Sequence, residues 1–328
     1  MDKDDPIPSL IKRMRVLVTG ANGFVGRAFS TFLHAQLGYQ VIGLLREPAD
    51  LGYPTVQWPS FSNDKELEGV VTGADVIVHC AASAHRPGIP ECIHQEVNVD
   101  LTISLARAAV HSGCRRFVFV STIGVLGSST TEIPFSENTS PSPNGAYAQT
   151  KLLAEQELQK LAGETGLEVV VVRPPLVYGP GAPGNFGALV HWISRGRPLP
   201  FGCVTTNRRS YIAIDNLVSF LMLSLEHPLA TGQTFLVSDG EDISTAELVR
   251  CVAAGLEKQP CLYPVPVSWM WRVAYLVRRE DMATRLLSNL QIHDAKARTL
   301  LGWKPPISMK EQLRKLKDSS CLCNQLVK

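Results

Sequence analysis

Short apolar runs alternate with helical patterns through the first part of this 328-residue chain, and that alternation restricts the fold more than any other feature. The strand-like runs are Arg15–Thr19, Gln40–Leu45, Val76–Cys80, Phe117–Ser121, Val169–Arg173 and Thr234–Val237. Helical patterns fill intervals at Gly26–Leu37, Asp64–Val71, Asn98–Ser112 and Ala146–Glu164. Each strand run is apolar throughout rather than at every second residue, so a strand made of it must be covered on both faces. Strands of this kind, separated by helices, form a parallel sheet with helices on either side. Right-handed crossovers then predict an α/β fold, a doubly wound Rossmann sheet.

The texture changes after Arg173. Pro174, Pro175, Pro180, Pro183, Pro198 and Pro200, with glycines at 179, 181, 184, 187, 196 and 202, interrupt the alternation while apolar residues persist. Such a stretch suits irregular structure around a ligand better than a linker. The expected organisation is a Rossmann domain over 1–175 and about 209–239, with a smaller, mostly helical C-terminal substrate domain over about 176–208 and 240–315. Residues 316–328 read as a tail.

With 19% charged and 45% hydrophobic residues the chain is folded and globular. A formal net charge of +2, spread along the sequence, indicates neither a nucleic acid nor an acidic membrane as partner. Cysteines stand singly at 80, 92, 114, 203, 251 and 261, several inside apolar runs, which suits reduced core thiols of a cytoplasmic protein. Cys321 and Cys323 form a C-x-C in the tail, where no nearby Cys or His completes a metal site. No run reaches the roughly 18 apolar residues of a membrane span, and the acidic, proline-broken start MDKDDPIPSLIKR does not read as a signal peptide. The aromatic stretch Trp269–Val277, next to Arg278 and Arg279, has the composition of an interfacial helix or a subunit contact. It is expected to form a buried helix of the second domain.

The segment Thr19–Gly26 reads TGANGFVG, a G-x-x-G-x-x-G loop where the first strand should turn into the first helix. Glycines there let the backbone approach a dinucleotide pyrophosphate, which meets the free N–H groups of a helix start. A glycine triplet alone also serves ordinary turns, so its place between strand and helix is what singles it out. Tyr147 and Lys151, at i and i+4 of Y-A-Q-T-K, share one helix face. A phenol titrates near pH 10, but a neighbouring ammonium and a cationic nicotinamide favour the phenolate, which lets Tyr147 exchange a proton with a sugar hydroxyl or ketone. Ser121 and Thr122 end a strand at its C-terminal edge, and Asn98 begins the helix of V-N-V-D-L-T. Singly these are a surface pair, strand-end hydroxyls and a helix cap. In this order, each on its proper element, they form a joint signal.

That order resembles the extended, nucleotide-sugar branch of the short-chain dehydrogenase/reductase superfamily. Further matches are H-C-A-A at 79–82, V-N-V at 97–99, V-Y-G-P-G at 177–181, R-R-S-Y-I-A-I-D-N at 208–216 and D-A-K-A followed by L-G-W, so the likeness extends from the glycine loop to LGWKPP at 301–306. It implies NAD(P)-dependent hydride transfer at a sugar carbon, usually C4, of a UDP- or dTDP-linked hexose. By this resemblance Tyr147 is the catalytic acid/base, and Lys151 lowers its pKa and holds the nicotinamide ribose. Thr122, or Ser121 one step earlier, bonds the reacting oxygen, and Asn98 completes the catalytic set. Gly20, Asn22, Gly23, Phe24, Val25 and Gly26 line the pyrophosphate, Ala81, Ala82 and Ser83 pass behind the riboses, and Pro174 borders the cofactor. His85, Asn185 and Arg209 fall on the substrate side, with Arg285 as the diphosphate arginine of the last helical region. Relatives commonly dimerise through two helices, here Asn98–Ser112 and Ala146–Glu164, which implies a homodimer.

Three departures bear on the reaction. Members that prefer NAD end the second strand with an acid for the ribose diol; here Leu45 is followed by Arg46 and Glu47, and an arginine suits a 2′-phosphate, which leans the cofactor to NADP. Leu126 replaces the tyrosine of S-S-x-x-V-Y-G, and Ala84 stands where some UDP-galactose epimerases keep a lysine. The segments R-P-P-L-V-Y-G-P-G, N-R-R-S-Y-I and F-L-V-S-D-G-E-D-I-S-T resemble a subgroup of bacterial O-antigen pathways acting on UDP-N-acetylhexosamines or their 4-keto-6-deoxy derivatives. The first expectation is therefore a C4 ketoreductase, the second a 4-epimerase with tightly held NAD, and the third a non-catalytic NAD(P)-binding protein on the same fold.

Overall fold

The computed structural model describes residues 13–58, 64–83 and 90–325, the side chains of Asp64 and 318–325 excepted. Its main sheet contains β1 (Met14–Thr19), β2 (Tyr39–Leu45), β3 (Thr55–Gln57), β4 (Val76–His79), β5 (Arg116–Val120), β6 (Glu168–Arg173) and β9 (Thr234–Leu236), all parallel, in the order β3-β2-β1-β4-β5-β6-β9. A smaller sheet in the order β10-β8-β7 joins β7 (Leu176–Tyr178), β8 (Arg209–Ala213) and β10 (Asp242–Ile243).

Successive side chains of a strand point to opposite faces, and here they separate into two cores. Val16, Val18, Val76, Val78, Val118, Val170 and Val172 meet α1 (Phe24–His34) and α7 (Ile214–Glu226) through Phe29, Leu33, Leu217 and Leu221. The intervening Leu17, Ile77, Phe117, Phe119, Val169 and Val171 meet α2 (Asp64–Val71), α4 (Leu101–His111) and α5 (Ala146–Thr165). Continuous apolar strands thus serve two layers at once, the arrangement expected from the sequence. A short helix α3 (Glu91–Gln95) enters α4 through a π-type turn over Glu96–Asp100. Helix α5 stops at Gly166, whose left-handed backbone returns an N–H to the Ala162 carbonyl at 2.9 Å.

The third core belongs to the helical lobe: α6 (Gly184–Ser194), α8 (Thr245–Gly255), α9 (Val267–Leu276), α10 (Glu280–Leu287) and α12 (Met309–Gln325), around Phe186, Val249, Val252 and Leu313. A Ser244–Glu247 capping box starts α8. Helix α11 (Ala295–Leu301) returns to the first core through Ala297 and Leu301, and Trp303 follows it there. The lobes are pinned together at Asp239: its carboxylate accepts from Tyr178 Oη at 2.7 Å, Asn216 Nδ2 at 2.7 Å and the Ala213 N–H at 3.0 Å. Asn216 in turn exchanges two bonds with the Ile307 backbone, at 2.9 and 3.1 Å.

Four expectations change. Trp269–Val277 does not form a buried helix: no residue of α9 is fully buried, because only one side of it meets the lobe. Among the singly placed cysteines only Cys114 is buried, while Cys92, Cys203 and Cys261 are exposed on the surface of loops and helix ends. Asn98 is no helix cap, since it lies inside the π-type turn and the N-cap of α4 is Asp100. The boundary at 316 falls within α12, whose Leu316 packs in the lobe core.

Candidate active site

The order of the main sheet reverses between β1 and β4, and open α/β sheets bind ligands in the crevice at such a point. The glycine loop stands there. Gly20 has φ +63, and a Cβ on it would lie 2.9 Å from the Ala81 backbone beyond β4. A Cβ on Gly26 would lie 2.3 Å from the Gly20 carbonyl oxygen. Side chains at either position would collide with backbone, so glycine is what lets the loop fold this tightly against β4 and the helix start, as a dinucleotide-binding turn requires. Helix α1 begins at Gly23 with no side-chain cap and no acid in its first turn, leaving its N–H groups and dipole to an anion. Asn22 is exposed in the loop, Val25 packs on the sheet core and Phe24 reaches the lobe core, so the loop borders both lobes.

Asn98 holds the opposite wall. Its Oδ1 accepts the Ser83 N–H at 2.8 Å, and its Nδ2 donates to Thr150 Oγ1 of α5 at 3.0 Å. A buried side chain in a π-type turn, a form frequent at functional sites, thus ties the Ala81–Ser83 loop to the helix that carries Tyr147. Below the loop, His79 bonds Thr19 at 2.9 Å and Thr102 at 3.0 Å and lies flat against Phe119. Burial, then the nearby Lys151 charge, pushes its pKa down to about 3, so the imidazole is neutral.

The strand-end hydroxyls divide. Ser121 is buried and donates its hydroxyl to Glu155. Thr122 is half-buried; its Oγ1 accepts the Gly124 N–H at 3.1 Å, so its own proton is directed by whatever oxygen lies before it. Gly124 stands beside both Thr122 and Ala148, the residue after Tyr147. This brings strand end and helix start together. Lys151 is buried with its ammonium 3.8 Å from the centre of the Phe119 ring. Burial pulls its pKa down to about 7, against Glu155 and Cys80, which favour the charge. Burial also pushes the Tyr147 phenol up to about 12. The expected lowering of the Tyr147 pKa is not seen in the chain alone, where burial is what moves the phenol.

Sequence reasoning missed the residues beneath this pair. Tyr147, Lys151 and Glu155 follow at i, i+4 and i+8 along α5, and Glu155 grips Arg173 of β6 through both oxygens, at 2.5 to 3.2 Å, with both side chains buried. The i+8 spacing was the available signal, but an acid in a long polar helix reads as solvated. Pro174 follows Arg173, and its carbonyl accepts the Ile123 N–H at 2.9 Å, fixing the turn after Thr122.

On the lobe side, Arg209 of β8 donates to the Ser288 and Thr284 carbonyls at 2.8 and 3.3 Å, at the C-terminal end of α10. Its pKa is lowered by burial and also by the charge of Arg285, so two arginines share one locality. Arg285 itself is exposed, as is Asn185 at the start of α6. Arg46 is exposed just beyond β2. His85 lies outside the described residues. Leu126, where relatives keep a tyrosine, is buried against Phe135, Leu236 and Ile292.

Fold and site together define an extended short-chain dehydrogenase/reductase. The model of the NAD dependent epimerase/dehydratase family matches residues 16–238, and the chain belongs to that family. A UDP-glucose 4-epimerase of Vibrio cholerae is 38% identical over 313 residues, 90% of this chain and 92% of the relative. Among solved structures, UDP-N-acetylglucosamine 4-epimerase from Bacillus cereus superposes with a TM-score of 0.77 at 18% identity, covering 96% of this chain and 98% of that one. UDP-glucuronic acid 4-epimerase from Bacillus cereus, in complex with NAD, gives 0.77 at 22% identity, covering 96% and 100%. At these identities the two structures speak for the fold.

Proposed function

We propose that the protein is a nucleotide-sugar 4-epimerase acting on a UDP-hexose or UDP-N-acetylhexosamine. The observation that carries this reading is the 38% identity to a UDP-glucose 4-epimerase across 90% of the chain. It reverses the order of the sequence expectation, which placed ketoreduction first. Gly20, Asn22, Gly23, Phe24, Val25 and Gly26 hold the dinucleotide pyrophosphate, and Ala81, Ala82, Ser83 and Pro174 border its riboses. The nicotinamide, when bound, supplies the hydride acceptor and donor. Tyr147 exchanges a proton with the C4 oxygen, and Thr122 donates its hydroxyl to the same oxygen while accepting from Gly124. With its pKa near 12 the phenol is held protonated, which suits donation to a keto oxygen. Withdrawing a hydroxyl proton requires Lys151 charged, and Glu155 favours that charge. Arg209 and Arg285 take the diphosphate, and Asn185 the nucleotide half. The active unit is a cytoplasmic homodimer paired through α4 and α5.

The test is incubation with UDP-hexoses and UDP-N-acetylhexosamines without added cofactor, following the C4 configuration by NMR and absorbance at 340 nm. Inversion without net absorbance change is expected. Consumption of NADPH with a UDP-4-keto-6-deoxy-N-acetylhexosamine, and no inversion of any UDP-hexose, would sink the epimerase. One observation favours that second, ketoreductase reading: Arg46 stands where an acid would bind the ribose diol, which suits a dissociable NADP. Arg46→Ala should then raise the KM for NADPH far more than for NADH, and equal effects would refute the preference.

A further inference from the structure

Helix α9 is apolar on nearly every side. Val267, Met270, Trp271 and Ala274, at i, i+3, i+4 and i+7, pack against the lobe core. The opposite side presents Trp269, Val273 and Leu276 with Tyr275 beside them, and these are 62, 56, 82 and 75% exposed. Exposed Val277 and Met282 continue the patch towards α10, and exposed Tyr263 precedes it. A helix apolar all round is ordinarily buried, and an uncovered apolar patch of several large residues marks an interaction surface. Its edge is cationic: Arg272 on the flank of the helix, then Arg278 and Arg279 directly after it, all exposed. Glu280 and Asp281, the acids nearest in sequence, open α10.

We infer that this face docks on an anionic lipid bilayer, with α9 lying in the plane of the headgroups. Tryptophan and tyrosine rings suit the boundary between headgroup and acyl chain, and the flanking arginines pair with lipid phosphates. Among the described residues no helix is long and apolar enough to cross a membrane, so the contact is peripheral. A second copy of the chain fits less well. A helix of 10 residues is about 15 Å long and about 10 Å wide, well short of the roughly 800 Å² per partner of a stable dimer. Twofold pairing would also set the same arginines against one another. The net charge of +2 conceals this local arrangement, because it averages over the whole surface. Helix α9 packs on α10, the helix that carries Arg285 and receives Arg209, so a docked membrane would lie one helix away from the paired arginines.

The experiment is sedimentation of the full chain with vesicles of phosphatidylglycerol and phosphatidylethanolamine, and separately with vesicles of phosphatidylcholine. Binding to the anionic vesicles, weakening with salt, is expected. Replacing Trp269 and Leu276 together by serine should lower the bound fraction roughly tenfold, and Arg272→Glu with Arg278→Glu and Arg279→Glu should abolish the preference for anionic lipid. Thermal melting of each variant reports that it is folded. Wild-type protein left in the supernatant with anionic vesicles, or binding that none of these substitutions alters, would overturn the inference. So would a Trp269-dependent dimer in light scattering without vesicle binding, which would assign the face to a second copy.

Discussion

Helix α5 buries Lys151 and Glu155 almost completely, whereas helix α9, half its length, leaves Trp269, Tyr275 and Leu276 in solvent. Both depart from the rule that apolar side chains go in and charges stay out. On α5 the charges find partners within the chain: Phe119 beneath Lys151, Arg173 and Ser121 around Glu155. On α9 the exposed apolar groups find none among the described residues. A departure whose partners are internal completes a site by itself, while one without them points to a partner outside the chain. Sequences break local rules at functional places and compensate nearby, and these two helices separate the kinds of compensation.

The largest effect belongs to Tyr147. Tyr147→Phe should retain dinucleotide binding and lower turnover by roughly a thousandfold, read by steady-state kinetics beside cofactor titration. Survival of turnover would remove the proton role from the α5 face altogether. Next comes Glu155→Leu, which leaves Arg173 charged and unpaired in the interior. A loss of about 3–5 kcal/mol is expected from urea unfolding, and adding Arg173→Met should return most of it. If the double variant stayed as unstable as the single one, the pair would not be the internal partner described above. Because Glu155 supports the Lys151 charge, a folded Glu155 variant should also show the Lys151-dependent limb of its pH–rate profile at lower pH.

A smaller effect follows from protons. His79 titrates near 3 in the folded chain against 6.5 ordinarily, so below pH 6.5 the unfolded chain takes the proton first. Stability from this group is complete above 6.5 and declines as the pH falls towards 3. Lys151 titrates near 7 against 10.5, so the unfolded chain holds the extra proton between those values and stability rises with pH across them. Cys80, half-buried and shifted from 9 to about 12 by desolvation, opposes this above pH 9. The rise is therefore readable between 7 and 9 in melting temperature, and Lys151→Met should flatten it. The smallest effect is expected on α9: serine at Trp269 and Leu276 should change unfolding free energy by less than about 0.5 kcal/mol. Met270→Ala, on the packed side, should cost of the order of 1–2 kcal/mol. Equal losses would mean that the outer side is packed after all.

The sheet was legible because its strands are short apolar runs that alternate regularly with helical patterns, which a surface strand or a lone buried helix does not do. Thr19–Gly26, Thr122, Tyr147 and Lys151 were legible because their order along the chain matches their elements. The short strands at 176–178 and 209–213 were not, since prolines and glycines around them read as irregular structure while their pairing is set by distant partners. Glu155 and Arg173 were hidden for a related reason: the i+8 spacing put Glu155 on the face of Tyr147, but an acid in a polar helix reads as solvated until its buried partner on a distant strand is known. Helix α9 misled in the other direction, because composition alone does not tell which side of an apolar helix has a neighbour.

The junction at Asp239 bears on how the site can open. Tyr178, Ala213 and Asn216 come to one carboxylate from β7, from β8 and from α7, and Asn216 also clasps Ile307 ahead of α12. Swinging the helical lobe about this point would break all five bonds together, at about 1 kcal/mol or more each. Together these bonds resist a hinge at the centre of the molecule.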